Sequence, residues 1–273
     1  VNPNTNEWLW KTKENMQLGG YTLISNLLSK IKKSEKFQEG SYIFKTKDVV
    51  KKFMVKLLSL LNEHFPNETI LKLVITIPER ENVIVDLLKN ILAELGIRND
   101  RLVILGHKQS YMYYAVSQPK ELWANSVGLF EFDEMGLRYT NLTVDKRTIP
   151  YIVGADVHDL SDIMPYSVLQ EKGDVKYMFL NTANTMLHKK MVTTIYVTGK
   201  GFEQRWATDA LKELCNGRRV FRGQNLFNKG AAYAARMLTD REKTKEFIFL
   251  DDDMLTSDIS IRTYHNAKMH DVV

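Results

Sequence analysis

The sequence predicts an α/β protein of two lobes, and three observations carry that class. The chain has 273 residues, more than one domain usually holds, so two are the prior. Short β-branched runs such as "LVITI", "LVILG" and "TTIYVTG" alternate with stretches whose apolar residues recur every three to four positions, the helical period. The alternation stands on both sides of a central stretch of two-residue period, the pattern of sheets covered by helices. Hydrophobic residues make up 44% of the chain, enough for a core in each lobe without disulfides or a structural metal.

Taken in order, the first element is a helix from Leu18 to Lys36, where Leu23, Leu27, Leu28 and Ile31 recur at helical spacing. A second helix is predicted from Thr46 to His64, with Val49, Val50, Phe53, Leu57, Leu60 and Leu61 on its buried face. "ILKLVITIP" reads as a buried strand stopped by Pro78, which has no N–H to give the ladder. "ENVIVDLLKNILAELG" is a helix closed by Gly96, the usual capping residue. "DRLVILG" is a further strand and "KQSYMYYAVSQ" a helix whose Met and Tyr residues belong to a core. From Ser126, "SVGLFEFDEMGLRYTNLTVDKRTIPYIV" alternates apolar and polar residues around Gly136 and Asp145, which predicts two or three antiparallel strands. A mostly helical stretch to Lys190 follows, then the strand "TTIYVTG" with two helices, and terminal strands in "EFIFLDDD" and "SDISIRTYHN". The predicted division is residues 1–143, 144–240 and 241–273, the last opening a further β segment.

The net charge of +5 raises nucleic acid as a partner. Lysines in "KIKKSEK" and "KTKDVVKKFMVK" interleave with apolar residues at helical spacing, as on the wet faces of amphipathic helices. Arg218, Arg219 and Arg222 form a tighter basic group, without the interleaved aromatic residues of a stacking platform. Arg218, Arg219 or Arg222 is expected to make buried or inter-lobe contacts, and no nucleic-acid partner is expected. The single Cys215 excludes an intramolecular disulfide and fits a reducing, cytoplasmic setting. Runs such as "LVITI" and "FIFL" fall far short of the roughly 20 residues of a membrane-spanning helix. The six histidines show no H-E-x-x-H spacing, and Ser110 lacks a G-x-S-x-G elbow, so neither a zinc hydrolase nor a serine hydrolase can be assembled.

The strongest chemical signal is the strand-to-helix turn "TGKGF". Gly199 and Gly201 lack Cβ atoms, so the backbone there can adopt positive φ and come close to a flat base or ribose. The N–H groups of the following helix favour anionic atoms. Downstream, Gly230, Ala231 and Ala232 let a helix pack closely on its neighbour.

In this order the segments resemble the actin-like ATPase superfamily, which includes actin, the heat-shock chaperone ATPases and sugar kinases. "LVITIPERENVIVDLLKNILAELGIRNDRLVILGHKQSYMYYAV" is similar to the chaperone pattern of a strand ending in Pro, a helix, a strand and a further helix. "SVGLFEFDEMGLRYTNL" is similar to the second phosphate strand and its hairpin, "IYVTGKGF" to the adenosine strand and turn, and "NLFNKGAAYAA" to the small-residue helix. The likeness spans residues 70–237. It implies a two-lobed actin-like ATPase (ribonuclease H-like) fold, the N-terminal part of whose first lobe, with its phosphate loop, would precede Val1. It also implies an adenosine-type pocket at Gly199, Lys200, Gly201 and Phe202, between the lobes, with Asp133 and Gly136 on the phosphate hairpin. In the family an Asp and a glycine pair hold phosphate and organise Mg²⁺. Here Glu131 stands in the place of the Asp, Asp133 and Glu134 in that of the glycines, and Lys200 replaces a glycine of the turn. Two carboxylates repel a triphosphate unless a metal intervenes. The expectation is therefore a degenerate, non-hydrolysing bacterial branch: a chaperone-like pseudo-ATPase that takes ATP or ADP with Mg²⁺ weakly. It would act in assembly or regulation through protein partners or self-association.

Two alternatives stay open at this point. One is an active ATPase or a sugar or acyl kinase of the same superfamily, with Glu131 catalytic. The other is a metal-dependent nucleotide-sugar glycosyltransferase, because "EFIFLDDDM" ends an apolar strand in clustered carboxylates, with Asp251 and Asp253 as metal ligands. That reading requires "LVITIP" and "FIFLDDD" to be neighbouring strands of one sheet.

Overall fold

The structure, a computed structural model, describes residues 1–2, 5, 7–9, 21–170, 173–240, 245–251, 254, 261–265 and 268–272, the last two stretches by their backbone. Among these residues are seven α-helices and twelve strands. They form two compact units, Val1–Ser110 with Phe227–Asp240, and Tyr111–Leu226 with Arg241–Val273.

In the first unit, α1 (Leu27–Lys33) is shorter than predicted, starting after Asn26, whose φ of 51° is left-handed. Residues 18–20 of the predicted helix lie outside the described residues. β1 (Lys36–Glu39) and β2 (Tyr42–Lys45) pair as an antiparallel hairpin absent from the sequence prediction. α2 (Thr46–His64) has the predicted ends, and the Thr46 hydroxyl donates to the Ser34 carbonyl at 2.7 Å. Its first half buries Val49, Val50 and Met54, whereas Leu57, Leu60 and Leu61, predicted inside, are 39–42% exposed. β3 (Leu73–Ile77), α3 (Asn82–Glu94) and β4 (Leu102–Gly106) follow as predicted, with β3 and β4 parallel. α3 buries Ile84, Val85, Leu88, Ile91 and Leu92, one stripe at helical spacing. It ends with Gly96 N–H bonded to Ala93 O and Ile97 N–H to Leu92 O, the two bonds of a Schellman motif. α3 packs on Ile31, Val50, Met54, Ile77, Leu102 and Ile104. α4 (His107–Val116) opens in this unit, where the Ser110 and Thr76 hydroxyls lie 2.7 Å apart.

In the second unit, β5 (Ser126–Asp133), β6 (Gly136–Asp145) and β7 (Tyr151–Asp159) form the antiparallel meander that the alternation predicts. Residues 160–170 are turns and a short 3₁₀ segment, so the helical stretch expected to reach Lys190 reduces to α5 (Val175–Leu187). The Asp174 carboxylate caps α5 by accepting from Tyr177 N–H. β8 (Val192–Thr198) then pairs parallel to β5. After α6 (Arg205–Leu214), β9 (Arg219–Arg222) pairs parallel to β8, a strand the sequence reading does not predict. α7 (Leu226–Thr239) returns the chain to the first unit. β10 (Phe247–Phe249) adds parallel to β7, and β11 (Ile261–His265) with β12 (Lys268–Val272) closes a separate hairpin.

The six-stranded sheet therefore runs β10–β7–β6–β5–β8–β9 and is mixed. β5 is buried at its six middle positions, as befits a central strand covered on both faces. Its Phe130 and Phe132 join Phe179, Val197, Phe202 and Leu211 in the core. Because β5, β6 and β7 share one sheet, a boundary at residue 143 would cut through β6; the units divide instead between Ser110 and Tyr111. The architecture is α/β, and among the described residues no helix is long and apolar enough to cross a membrane. "LVITIP" and "FIFLDDD" are not neighbours: β3 pairs with β4, β10 with β7.

Candidate functional site

The site residues named from the sequence meet at the carboxyl end of β5, inside the second unit. Pairing across strands sets the arrangement. Glu131 stands level with Thr198 on parallel β8 and opposite Arg138 on β6, and Arg138 stands opposite Asp159 on β7. Directly paired residues project to the same face, so a hydroxyl, a carboxylate, a guanidinium and a second carboxylate form one row across four strands.

Glu131 is 7% exposed. One guanidinium nitrogen of Arg138 lies 3.1 Å from its carboxylate and 3.9 Å from that of Asp133. Burial pushes the Asp133 carboxyl above its ordinary range, and repulsion from Glu131 adds to this, while the Met135 N–H and Arg138 pull the other way. The Asp159 carboxyl is held below its ordinary range, first by the Ser161 N–H and hydroxyl and then by Arg138. Within the set one half-buried guanidinium faces Glu131 and Asp133, with Asp159 beyond it, so the row is pinned by Arg138 but keeps net negative charge.

The hairpin joining β5 to β6 is tight. Asp133 accepts from Met135 N–H at 2.9 Å, and Gly136, at φ 93°, would place a Cβ 2.6 Å from the Ser161 side chain. At the end of β8, Gly199 has φ 102° and ψ 154°, a region open essentially to glycine alone. A Cβ there would lie 2.7 Å from the Phe132 carbonyl carbon, and one on Gly201 would overlap the Phe132 ring. Both glycines therefore let the 3₁₀ turn Lys200–Glu203 lie directly on β5. The space that the sequence reading leaves for a base is filled on that side by Phe132.

Phe202, expected at the cofactor, is buried in the core, its ring 5.2 Å from Phe179, 5.7 Å from Trp206 and 6.0 Å from Phe132. Lys200 is exposed and pairs with Glu134 at 3.2 Å, which raises the lysine above its ordinary range and ties the turn to the hairpin tip. Of the expected residues, Glu131, Asp133, Gly136, Gly199, Lys200 and Gly201 come together; Phe202 packs beneath them. Arg138 is the member missed. The signal for it was present, since a two-residue loop centred on Glu134–Met135 fixes the register of Glu131 with Arg138.

The remaining candidates lie elsewhere. Asp251 follows β10, and Asp253 lies outside the described residues. Among the described residues no group of three or more His, Cys, Asp or Glu is arranged to hold a metal. Arg219 and Arg222 are exposed, and Arg218 is half-buried.

Residues 1–252 match a family described as "Family of unknown function (DUF5716) C-terminal". No curated protein matches the chain.

Proposed function

The chain belongs to the DUF5716 C-terminal family, and we propose that it is a degenerate member of the actin-like ATPase fold: a non-hydrolysing protein with an assembly or regulatory role. The fold part of this reading is supported by strand order. Three antiparallel strands, β5, β6 and β7, are followed on the other side of β5 by two strands parallel to it, each reached through a helix. That order and its directions are what the ribonuclease H-like reading expects of a lobe. In open sheets ligands bind beyond the carboxyl ends of the strands at the switch point, which here is the β5–β8 pair bearing Glu131 and the glycine turn.

The observation that carries the non-hydrolysing part is the buried Glu131–Arg138 pair. A carboxylate that organises Mg²⁺ and water must be open to them; this one is neutralised by a guanidinium from the neighbouring strand. Asp133 and Glu134 add negative charge where a phosphate cradle needs free N–H groups. A magnesium triphosphate does not fit these residues. With Phe132 filling the space beside Gly199 and Gly201, an adenosine moiety has only the outer, Lys200 side of the β8 turn to rest on, which supports weak binding at most.

The test is titration calorimetry with ATP, ADP and Mg²⁺ together with a phosphate-release assay on the natural full-length protein. Weak or absent binding is expected, with phosphate release at the level of a protein-free blank. Sustained hydrolysis that disappears in Glu131→Ala would overturn this reading and make Glu131 catalytic.

A further inference from the structure

We propose that β9 is a docking edge for an acidic extended segment of a partner protein, which adds to the six-stranded sheet as a further strand. β9 ends the sheet and, among the described residues, pairs with β8 alone. Gly223 donates its N–H to Val197 O at 2.8 Å. Backbone groups alternate in direction along a parallel strand, so the N–H and C=O groups of Val220 and Arg222 point to the open edge. They offer two donors and two acceptors in the spacing another strand requires.

The side chains choose the occupant. Arg219 and Phe221 lie on one face and Val220 and Arg222 on the other, so each face presents an arginine beside an apolar residue. Phe221 is 40% exposed and is fixed by stacking on Tyr196 at 5.6 Å. Arg219 and Arg222 are exposed, and their hydrogen bonds, to Glu121 O and the Thr208 hydroxyl, are both long at 3.5 Å. Arg218 adds positive charge where the strand begins. A second copy of β9 laid along this edge would set arginines near arginines, which is unfavourable. A strand alternating glutamate with an aliphatic residue meets complementary charge and Phe221 together. This surface stands independently of any nucleotide at the β8 turn.

The probe is a fluorescein-labelled peptide alternating glutamate with valine, followed by fluorescence anisotropy against the full protein at low salt. Saturable binding is expected. It should weaken about tenfold or more in Arg219→Glu with Arg222→Glu, and a lysine–valine peptide should regain affinity for that double variant. Val220→Pro removes an outward N–H and leaves the bonds to β8 in place, so it should lose the peptide while circular dichroism stays native. If Val220→Pro does not fold, the same peptide N-methylated at every residue, which leaves neither edge a donor, should fail to bind the unaltered protein. Absence of binding to the unaltered protein would sink the idea, as would full binding of the N-methylated peptide. Tighter binding of a single-stranded oligonucleotide through the same arginines would replace the protein partner with nucleic acid.

Discussion

Gly230 lies where α7 meets the start of α4. A Cβ there would sit 2.7 Å from the Ser110 carbonyl carbon and overlap its oxygen, and backbone cannot yield as a flexible side chain can. Gly230→Ala gains roughly 1 kcal/mol in helix propensity, yet is expected to destabilise by about 2 kcal/mol net, because two helices must part. Gly173 is the contrast: nothing stands within 4 Å of its Cβ position and its φ is not positive. Gly173→Ala is expected to be neutral or to stabilise by about 0.5 kcal/mol. Urea unfolding of both variants checks the pair; equal midpoints would show that the α4–α7 approach carries no such constraint. At this scale the sequence was partly legible. The glycines at 199, 201 and 230 stand out as requirements, but what each one meets depends on strand register and helix crossing. That Gly199 and Gly201 both face Phe132 follows only once β8 is laid beside β5.

Among the elements, α2 and α3 are tied at one end by Glu94, whose carboxylate accepts from Lys47 at 2.6 Å and Lys51 at 2.8 Å. Those bonds lower its carboxyl from 4.5 to about 2. A depressed carboxyl contributes stability that is present above its ordinary value and lost as the pH falls toward 2. Side-chain NMR titration should place the Glu94 midpoint near 2, and Lys47→Ala with Lys51→Ala should return it toward 4.5; an unchanged midpoint would mean that the lysines do not set it. The same geometry explains the exposed leucines. α2 has 19 residues and α3 has 13, so α2 overhangs by about 9 Å, and its apolar stripe continues past its partner. Periodicity predicts a buried face but not how far the covering helix reaches. Long, apolar or strictly alternating elements such as α3, β5 and β6 were legible for the opposite reason, since their pattern is repeated enough to exclude alternatives. β1, β2 and β9 have four residues each, and β1 and β9 carry two charges apiece, so runs this short become strands through the partner they pair with.

For the whole molecule, two α/β bodies were legible from the alternation of strand and helix runs, whereas their boundaries were not. Contiguity is the natural assumption for a sequence reading, and this chain breaks it: residues 227–240 group with Val1–Ser110, and the chain after Asp240 returns to the second unit. Gly230, Ala231, Ala234 and Met237 of the returning helix are buried. Compared with a chain ended at Asp240, which equally lacks β10, a chain ended at Leu226 is therefore expected to bind a hydrophobic dye such as ANS more strongly and to melt at a lower temperature, with a synthetic peptide of residues 227–240 reversing both. Equal dye binding would show that the helix covers nothing apolar. The interleaving also sets an order on biosynthesis. At about 5–20 residues per second, the ribosome needs on the order of ten seconds to deliver residues 111–240 after the rest of the first unit has emerged. Throughout that interval the first unit waits, unfinished, for α7, its apolar contact positions open to capture by a chaperone.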